Sequence, residues 1–548
     1  MSNALSRAGL LLTPLVLLCA LLSGVFLPVY SDEVVTKFSV ARFFLEGGQM
    51  VSFFPQCTST VGHGVAWVFY PAALLISSVY AHLGPLGIRL SGIVLTLAWF
   101  VLLAYWCRRQ AAEGGIGRFS FLAAFAALGV MPYLWVFSRP EQFMLLPLLI
   151  MCMVALLTPV QNSRKRQLAV TVGLVVVLSV FFYAHPKSVF FAPFALVATW
   201  FATRGSSLLI RTGLVLYILV LSGQVLHDAS LLGGCQDAPA VQALLATNSL
   251  LPGMLLEDPV AFLVAAWQNV SLFPGRMLAH LTFNPTFQSG WLASLTEQPV
   301  WLRWLNPLIA CALLVLVVGS HLLALLLAAI ALIRRRLPAA LLLAALLAAA
   351  DLINAALYNL QNFYAGIQYI PLSLMIVTLL FHCVPTVPQW PGVRATGYLA
   401  VTLMSGLSLA SLFALFSLVT PTLLRNAGYA NASLPGQSLS IPLLNTQAHL
   451  DSILKLGDTC HIPRAGAEHV VLDHMTYFAY LQDSKPVHVL YVSELGYGAD
   501  LLNGKLLPFL KARNSPGLIT RCEWVPNELR DGQQRNDQGY CCVDFGNR

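Results

Sequence analysis

The chain has 548 residues, of which 57% are hydrophobic and only 10% charged, with a formal net charge of +8; its mean hydropathy is +0.74. A soluble domain carries roughly 25% charged residues to cover its exterior, so a single water-facing globule is excluded. The positive balance does not point to nucleic acid either. The Lys and Arg residues fall in short clusters between apolar runs, where they orient helices in a bilayer.

A helix satisfies its own backbone groups across roughly 30 Å of hydrocarbon and needs about 20 mostly apolar residues to do so. In chain order the sequence predicts about eleven such spans, at 8–30, 88–106, 119–137, 142–160, 167–184, 188–203, 212–227, 305–333, 337–357, 369–386 and 395–418. The first run follows Arg7, is too long for a signal-peptide core and lacks a small-residue cleavage site, so it reads as an anchor. Basic clusters then set the orientation. Arg108, Arg109 and Arg118 share one loop, Arg164, Lys165 and Arg166 the next, Arg204 and Arg211 a third, and Arg334, Arg335 and Arg336 a fourth. With the N-terminus inside, this span count places all four in the cytoplasm. The segments 31–87, 138–141, 185–187, 228–304 and 358–368, and the tail from 420 to 548, then face outward.

Within 31–87 the apolar stretch Val65–Leu83 reads as a helix lying along the interface, with Trp67, Phe69, Tyr70 and Tyr80 at headgroup depth. Val260–Trp267 is too short to span and reads the same way. Residues 1–419 form the membrane body. Residues 420–548 are more polar and alternate strand-like runs (Glu468–Asp473, Val487–Val492, Leu518–Trp524, Tyr540–Phe545) with helix-like ones (Ala448–Leu456, Met475–Leu481, Leu502–Ala512). That alternation predicts a small α/β domain. The fold class is therefore an all-α polytopic membrane protein with interfacial helices and a C-terminal extracytoplasmic α/β domain. Six cysteines, Cys57, Cys235, Cys460, Cys522, Cys541 and Cys542, lie in outward segments, where an oxidising environment lets them pair; their connectivity is open.

Chemistry-bearing residues concentrate on the outward side. Asp32 and Glu33 follow the first span; a paired carboxylate there can act as a general base or hold a divalent cation, or simply cap the next helix. Ser138-Arg139-Pro140-Glu141 forms a whole outward turn. Arg139 offers a planar fork of donors for a phosphate, while Pro140 and Glu141 suit the first turn of a helix; an Arg–Glu pair within a turn is the structural alternative. His185-Pro186-Lys187 forms the next short turn, and close packing of the spans would let Arg139, His185 and Lys187 converge on one anionic group. Asp351 is a carboxylate inside a span, a functional hypothesis by default. Gln361, Tyr364, Gln368 and Tyr369, in and after the loop starting at Asn359, supply amide and aromatic groups suited to sugar hydroxyls and faces, and His63 can join them. Asn269-Val270-Ser271 and Asn431-Ala432-Ser433 match glycosylation acceptors.

These residues together resemble the GT-C superfamily of integral membrane glycosyltransferases, which use polyprenyl-phosphate sugars. The points of likeness are Asp32-Glu33 after the first span, Phe69-Tyr70-Pro71 and Gly87-Ile88-Arg89 leading into the second, and Arg139-Pro140-Glu141 at an outer turn. Tyr369-Ile370-Pro371 opening a late span and a closing soluble domain complete the pattern. The nearest flavour is the bacterial branch that includes aminoarabinose and arabinofuranose transferases. The resemblance implies Asp32 or Glu33 as catalytic base or metal contact, and Arg139, His185 and Lys187 as ligands of the lipid phosphate. It also implies that His63, Tyr70, Glu141, Gln361, Tyr364, Gln368 and Tyr369 border the substrates. Gln368 departs from the pattern, standing where many relatives carry a basic residue. The partners so implied are a polyprenyl-phosphate sugar, an extracytoplasmic glycan, lipid or protein acceptor, and membrane lipids, at a bacterial inner membrane with the C-terminal domain in the periplasm. A transporter or flippase of lipid-linked glycans and a glycan ligase or polymerase are the competing classes.

Overall fold

The computed structural model describes residues 2–27, 84–110, 115–157, 163–233, 246–284, 299–359, 364–383, 391–424, 446–466, 468–473, 475–480, 485–488, 506–511 and 514–546. They are mostly helical, and eight helices are long and apolar enough to cross a membrane. In chain order the helices are α1 (Ser2–Ser23), α2 (Gly84–Gln110), α3 (Gly115–Ala126), α4 (Pro140–Leu157), α5 (Arg164–Ala184), α6 (Ala192–Ala202) and α7 (Leu208–Gly233). There follow α8 (Pro259–Leu281), α9 (Leu302–Ile333), α10 (Ala339–Leu357), α11 (Tyr364–Cys383) and α12 (Pro391–Leu424). Eight of the eleven sequence-predicted spans overlap the eight helices of crossing length, and the spans 8–30, 119–137 and 188–203 overlap the shorter apolar stretches Leu11–Phe26, Gly115–Ala126 and Pro186–Ala202.

The chain divides into two compact units. The first comprises 1–25, 92–225 and 249–420; the second comprises 26–91, 226–248 and 421–548. In the first unit α10 is a hub that packs on α8, α9 and α11, while α4 packs on α5, α6 and α11. The outer faces carry apolar stripes at helical spacing, such as Leu168, Val172 and Val176 on α5, all exposed. A stripe of that kind has hydrocarbon as its natural solvent.

Two sequence expectations need correction. The predicted span 119–137 is interrupted: α3 ends at Ala126, and a separate helical turn occupies Met131–Leu134. Gly129 makes the break, with φ of 57° and a hydrogen that faces the Leu281 carbonyl where a Cβ would come within 1.9 Å of it. Only glycine adopts that conformation at so close an approach without strain. The second correction concerns Val260–Trp267, which continues as α8 to Leu281. Its Phe273 and Met277 are buried, and its Asn269 donates to the Ala356 carbonyl at 3.0 Å and to Asn359 Oδ1 at 2.8 Å. Asn269 is thus a buried packing amide, not a glycosylation acceptor. Asn431 lies outside the described residues.

The second unit carries a five-stranded sheet of β1 (Glu468–Leu472), β2 (Lys485–His488), β3 (Gly517–Arg521), β4 (Gln534–Arg535) and β5 (Tyr540–Asp544), in the order β2-β1-β3-β5-β4. β1 runs parallel to β2 and β3, whereas β5 is antiparallel to β3 and β4. Because side chains alternate across a strand, Val470, Leu472, Ile519 and Cys542 meet α13 (Thr446–Thr459) on one face. Val471, Leu518, Cys541 and Val543 pack on the other face with α14 (Leu506–Lys511). Each face has its own disulfide, Cys460–Cys542 on the first and Cys522–Cys541 on the second. Cys57 and Cys235 lie outside the described residues. Asp473, fully buried at the end of β1, accepts from the backbone N–H groups of Met475, Thr476 and Arg521 and from Thr520 Oγ1, each at 2.8–2.9 Å. Four donors offset the cost of burying its charge.

Candidate functional site

The turn before α4 is pinned to α2. A Cβ on Gly92 would stand 2.1 Å from the Val136 carbonyl oxygen, so the α2 backbone lies directly against this turn. Gln142 Nε2 donates to the Trp135 carbonyl at 2.6 Å and to Thr96 Oγ1 at 3.1 Å, and Thr96 Oγ1 donates to the same Trp135 carbonyl. The pinned turn delivers Arg139 and Glu141, which are nearly fully buried. Arg139 Nε lies 3.3 Å from Glu141 Oε2 and Nη2 lies 3.4 Å from Oε1, a fork-on-carboxylate pair.

The turn between α5 and α6 meets the same carboxylate. His185 Nδ1 accepts from the Lys187 backbone N–H at 3.1 Å, so the neutral imidazole carries its proton on Nε2. That Nε2 points at Glu141 Oε1, 3.8 Å away. Lys187 is half-buried and lies within electrostatic range of Glu141, Arg139 and Asp351. Its ammonium sits 4.5 Å over the Tyr358 ring and donates to Gln368 Oε1 at 3.4 Å. Arg139 and Lys187 therefore flank one carboxylate, with the His185 imidazole beside it.

From Gln368 the network runs into the bundle. Gln368 Nε2 donates to Asp351 Oδ1 at 3.0 Å, and Asp351 Oδ2 faces His321 Nε2 at 3.0 Å. His321 Nδ1 lies 2.6 Å from the Val317 carbonyl. That carbonyl belongs to a π-helical turn, Val315–Gly319, which interrupts the α-helical bonding of α9. The same carbonyl also accepts from the Ser320 backbone N–H and, at 3.3 Å, from Ser320 Oγ. Asn354, three residues after Asp351 and so on the same face of α10, donates to Tyr369 Oη at 3.2 Å. Tyr369 is buried, its ring 4.3 Å from that of Phe273.

The structure thus brings together Arg139, Glu141, His185, Lys187, Gln368 and Tyr369 from the sequence expectations. Asp32, Glu33, His63, Tyr70 and Gln361 lie outside the described residues, as does the side chain of Tyr364. His321, Asn354 and Tyr358 belong to the network and carried no local motif. Their trace in the sequence is thin: His321 beside Ser320, and Asp351 three residues before Asn354, are short polar interruptions of apolar runs, and such residues can satisfy one another. Among the described residues no group of three or more His, Cys, Asp or Glu is arranged to hold a metal ion.

No protein-family model matches the chain, and no curated protein matches it. Solved structures do. One is the Archaeoglobus fulgidus oligosaccharyltransferase in its apo form, at 11% identity and a TM-score of 0.42 over 93% of this chain and 70% of that one. A second is the archaeal oligosaccharyltransferase AglB from Archaeoglobus fulgidus in complex with an inhibitory peptide and a dolichol-phosphate, at 10% identity and a TM-score of 0.40, covering 93% and 69%. A third is the Archaeoglobus fulgidus enzyme tethered to an acceptor peptide, at 11% identity and a TM-score of 0.39, covering 93% and 69%.

Proposed function

We propose that this chain is a membrane glycosyltransferase of the GT-C type, moving a sugar from a polyprenyl-phosphate donor to an acceptor outside the cytoplasm. The observation that carries the reading is the cluster of Arg139, His185 and Lys187 around Glu141, drawn from two short turns between helices. When the bond between sugar and lipid phosphate breaks, negative charge builds on the departing phosphate. Cations already held in place stabilise that charge without reorganising, and they act strongly in a site shielded from water. Arg139 and Lys187 fill that role, and His185 offers its Nε2–H. Glu141 holds the two cations against each other's repulsion. Gln368 and Tyr369 then border the donor from α11.

The acceptor hydroxyl needs a base, and the residues proposed for it are Asp32 and Glu33. The same pair is the place proposed for a divalent cation, which would supply further charge stabilisation at the phosphate. The bacterial inner membrane and a periplasmic C-terminal domain complete the proposal. A second reading, a proton-coupled transporter of lipid-linked glycans, draws on the buried Asp351–His321 contact alone.

A transfer assay in membranes tests the proposal. It would follow consumption of candidate polyprenyl-phosphate sugars by wild type and by Asp32→Asn, Glu33→Gln and Arg139→Gln at matched abundance. Wild-type transfer that is lost in Arg139→Gln and in one acidic variant supports the reading. Transfer unaffected by Arg139→Gln overturns the phosphate site, and transfer unaffected by both acidic variants overturns the base. Proton uptake by liposomes holding the protein, with no donor consumed, would replace the enzyme with the transporter.

A further inference from the structure

A groove with a cavity volume of about 790 Å³ runs along α9 between α3 and α11, apart from the cluster around Glu141. Its floor is one face of α9, through Gly319, Leu323, Leu327 and Ile330, and it ends at Arg334 and Arg336. Phe121 and Phe381 form part of its walls. Fifteen residue positions separate Gly319 from Arg334, about 22 Å at 1.5 Å per residue, and Val315 and Leu316 line the groove one turn beyond.

The charge is confined to one end. Among the described residues, Ser320 and Cys383 are the other polar lining groups and no acidic side chain lines the groove. Arg334 and Arg336 are both exposed. They are set there by the way α9 stops. Arg335 takes φ of 52°, the Arg336 N–H bonds back to the Ala331 carbonyl at 2.8 Å, and the Arg335 N–H to that of Leu332 at 2.9 Å. This is a Schellman-type ending, which usually has glycine at the left-handed position. Arg118 lies at the same end, its guanidinium 5.5 Å over the Phe381 ring.

We infer that this groove is a binding site for an anionic phospholipid, with one acyl chain lying along α9 and the phosphate held by Arg334 and Arg336. Three features select that ligand. The lining is apolar over a length that one extended acyl chain fills, so a hydrocarbon chain is the natural occupant. The cations stand only at the end where a headgroup would emerge, so the headgroup is an anion. The floor is too short for the whole tail of a polyprenyl carrier, which separates this site from the donor site proposed above. Gly319 leaves the inner end open, since a Cβ there would meet nothing nearer than Val315 at 3.9 Å.

The test is native mass spectrometry of the full chain, released from micelles with phosphatidylglycerol or phosphatidylcholine of identical acyl chains. Two arginines near a lipid phosphate predict retention of phosphatidylglycerol over phosphatidylcholine by about tenfold. Arg334→Gln with Arg336→Gln removes that preference, while the double Lys variant keeps most of it. Gly319→Leu fills the inner end and lowers retention of both lipids while the arginines are intact. Equal retention of the two lipids by wild type overturns the proposal, as does a preference that survives the double Gln variant. Displacement of phosphatidylglycerol by an equal concentration of a polyprenyl phosphate also overturns it, by giving the groove to the carrier.

Discussion

His321 and Asp351 share one proton more than a neutral imidazole and a bare carboxylate would hold between them. His321 Nδ1 faces the Val317 carbonyl, which can only accept, so Nδ1 carries a hydrogen. Nε2 and Asp351 Oδ2 are 3.0 Å apart, and a hydrogen bond between them needs a second proton. Whichever atom holds it, the pair is neutral in sum, which is the state that survives inside an apolar bundle. Asp351 Oδ1 is then fixed as the acceptor that orients Gln368, and Gln368 presents its carbonyl to Lys187.

Asp351→Asn reproduces both bonds, donating to His321 Nε2 and accepting from Gln368, and is expected to cost less than about 1 kcal/mol. Asp351→Ala strands two buried groups and is expected to cost about 2–4 kcal/mol. Thermal unfolding of the purified variants distinguishes them. Equal losses would mean that the pair is a full ion pair that an amide cannot replace.

Gly92 has the same kind of leverage on the phosphate cluster. Gly92→Ala drives a methyl against the Val136 carbonyl, shifts the turn that carries Arg139, and is expected to cost about 1–3 kcal/mol. The same variant should lose lipid-phosphate affinity while keeping its helical content by circular dichroism. Unchanged stability and affinity would show that the turn is not seated by this contact.

Part of the alkaline limb of stability in the sheet-bearing unit is assigned to Tyr480, whose phenol is pushed up to about 12 by burial, alongside Tyr540, whose phenol burial also pushes up. The unfolded phenol titrates near 10, so the unfolded chain loses this proton first. The contribution is complete below about pH 10 and falls away as the pH rises toward about 12. Tyr480→Phe should flatten that fall and leave neutral-pH stability little changed. A pH series of unfolding curves measures it, and an identical alkaline slope in the variant would contradict the assignment.

Arg335 holds a left-handed backbone that suits glycine. Arg335→Gly is expected to stabilise the protein by about 1 kcal/mol, because the Cβ is the source of the strain. Denaturant unfolding reads this directly, and a destabilised variant would show that the Arg335 side chain makes a compensating contact.

The spans were legible because long apolar runs interrupted by clustered cations leave few other architectures open. Hydropathy says nothing of φ, so the break at Gly129 was invisible and 119–137 read as one helix. The length of α8 was hidden for a related reason: Gln268, Asn269 and Ser271 interrupt the apolar run, and only the structure shows Asn269 turned inward to Asn359. In the second unit β1 and β5 were clear from their apolar runs, whereas the two-residue β4 carries too few side chains to leave a pattern. At the candidate site the cations on the turns could be read from charge. Their common carboxylate depends on how α4 and α5 pack, and His321 becomes meaningful only once α9 lies against α10.

The most direct test of the phosphate site is equilibrium binding of a sugar-free polyprenyl phosphate to purified wild type, Arg139→Gln and Lys187→Gln. Removing one partner from a shielded charge cluster predicts affinity losses of about tenfold to a hundredfold in each variant, with helical content unchanged. Wild-type affinity in both variants would contradict the account and leave Arg139, His185, Lys187 and Glu141 as a structural knot between turns.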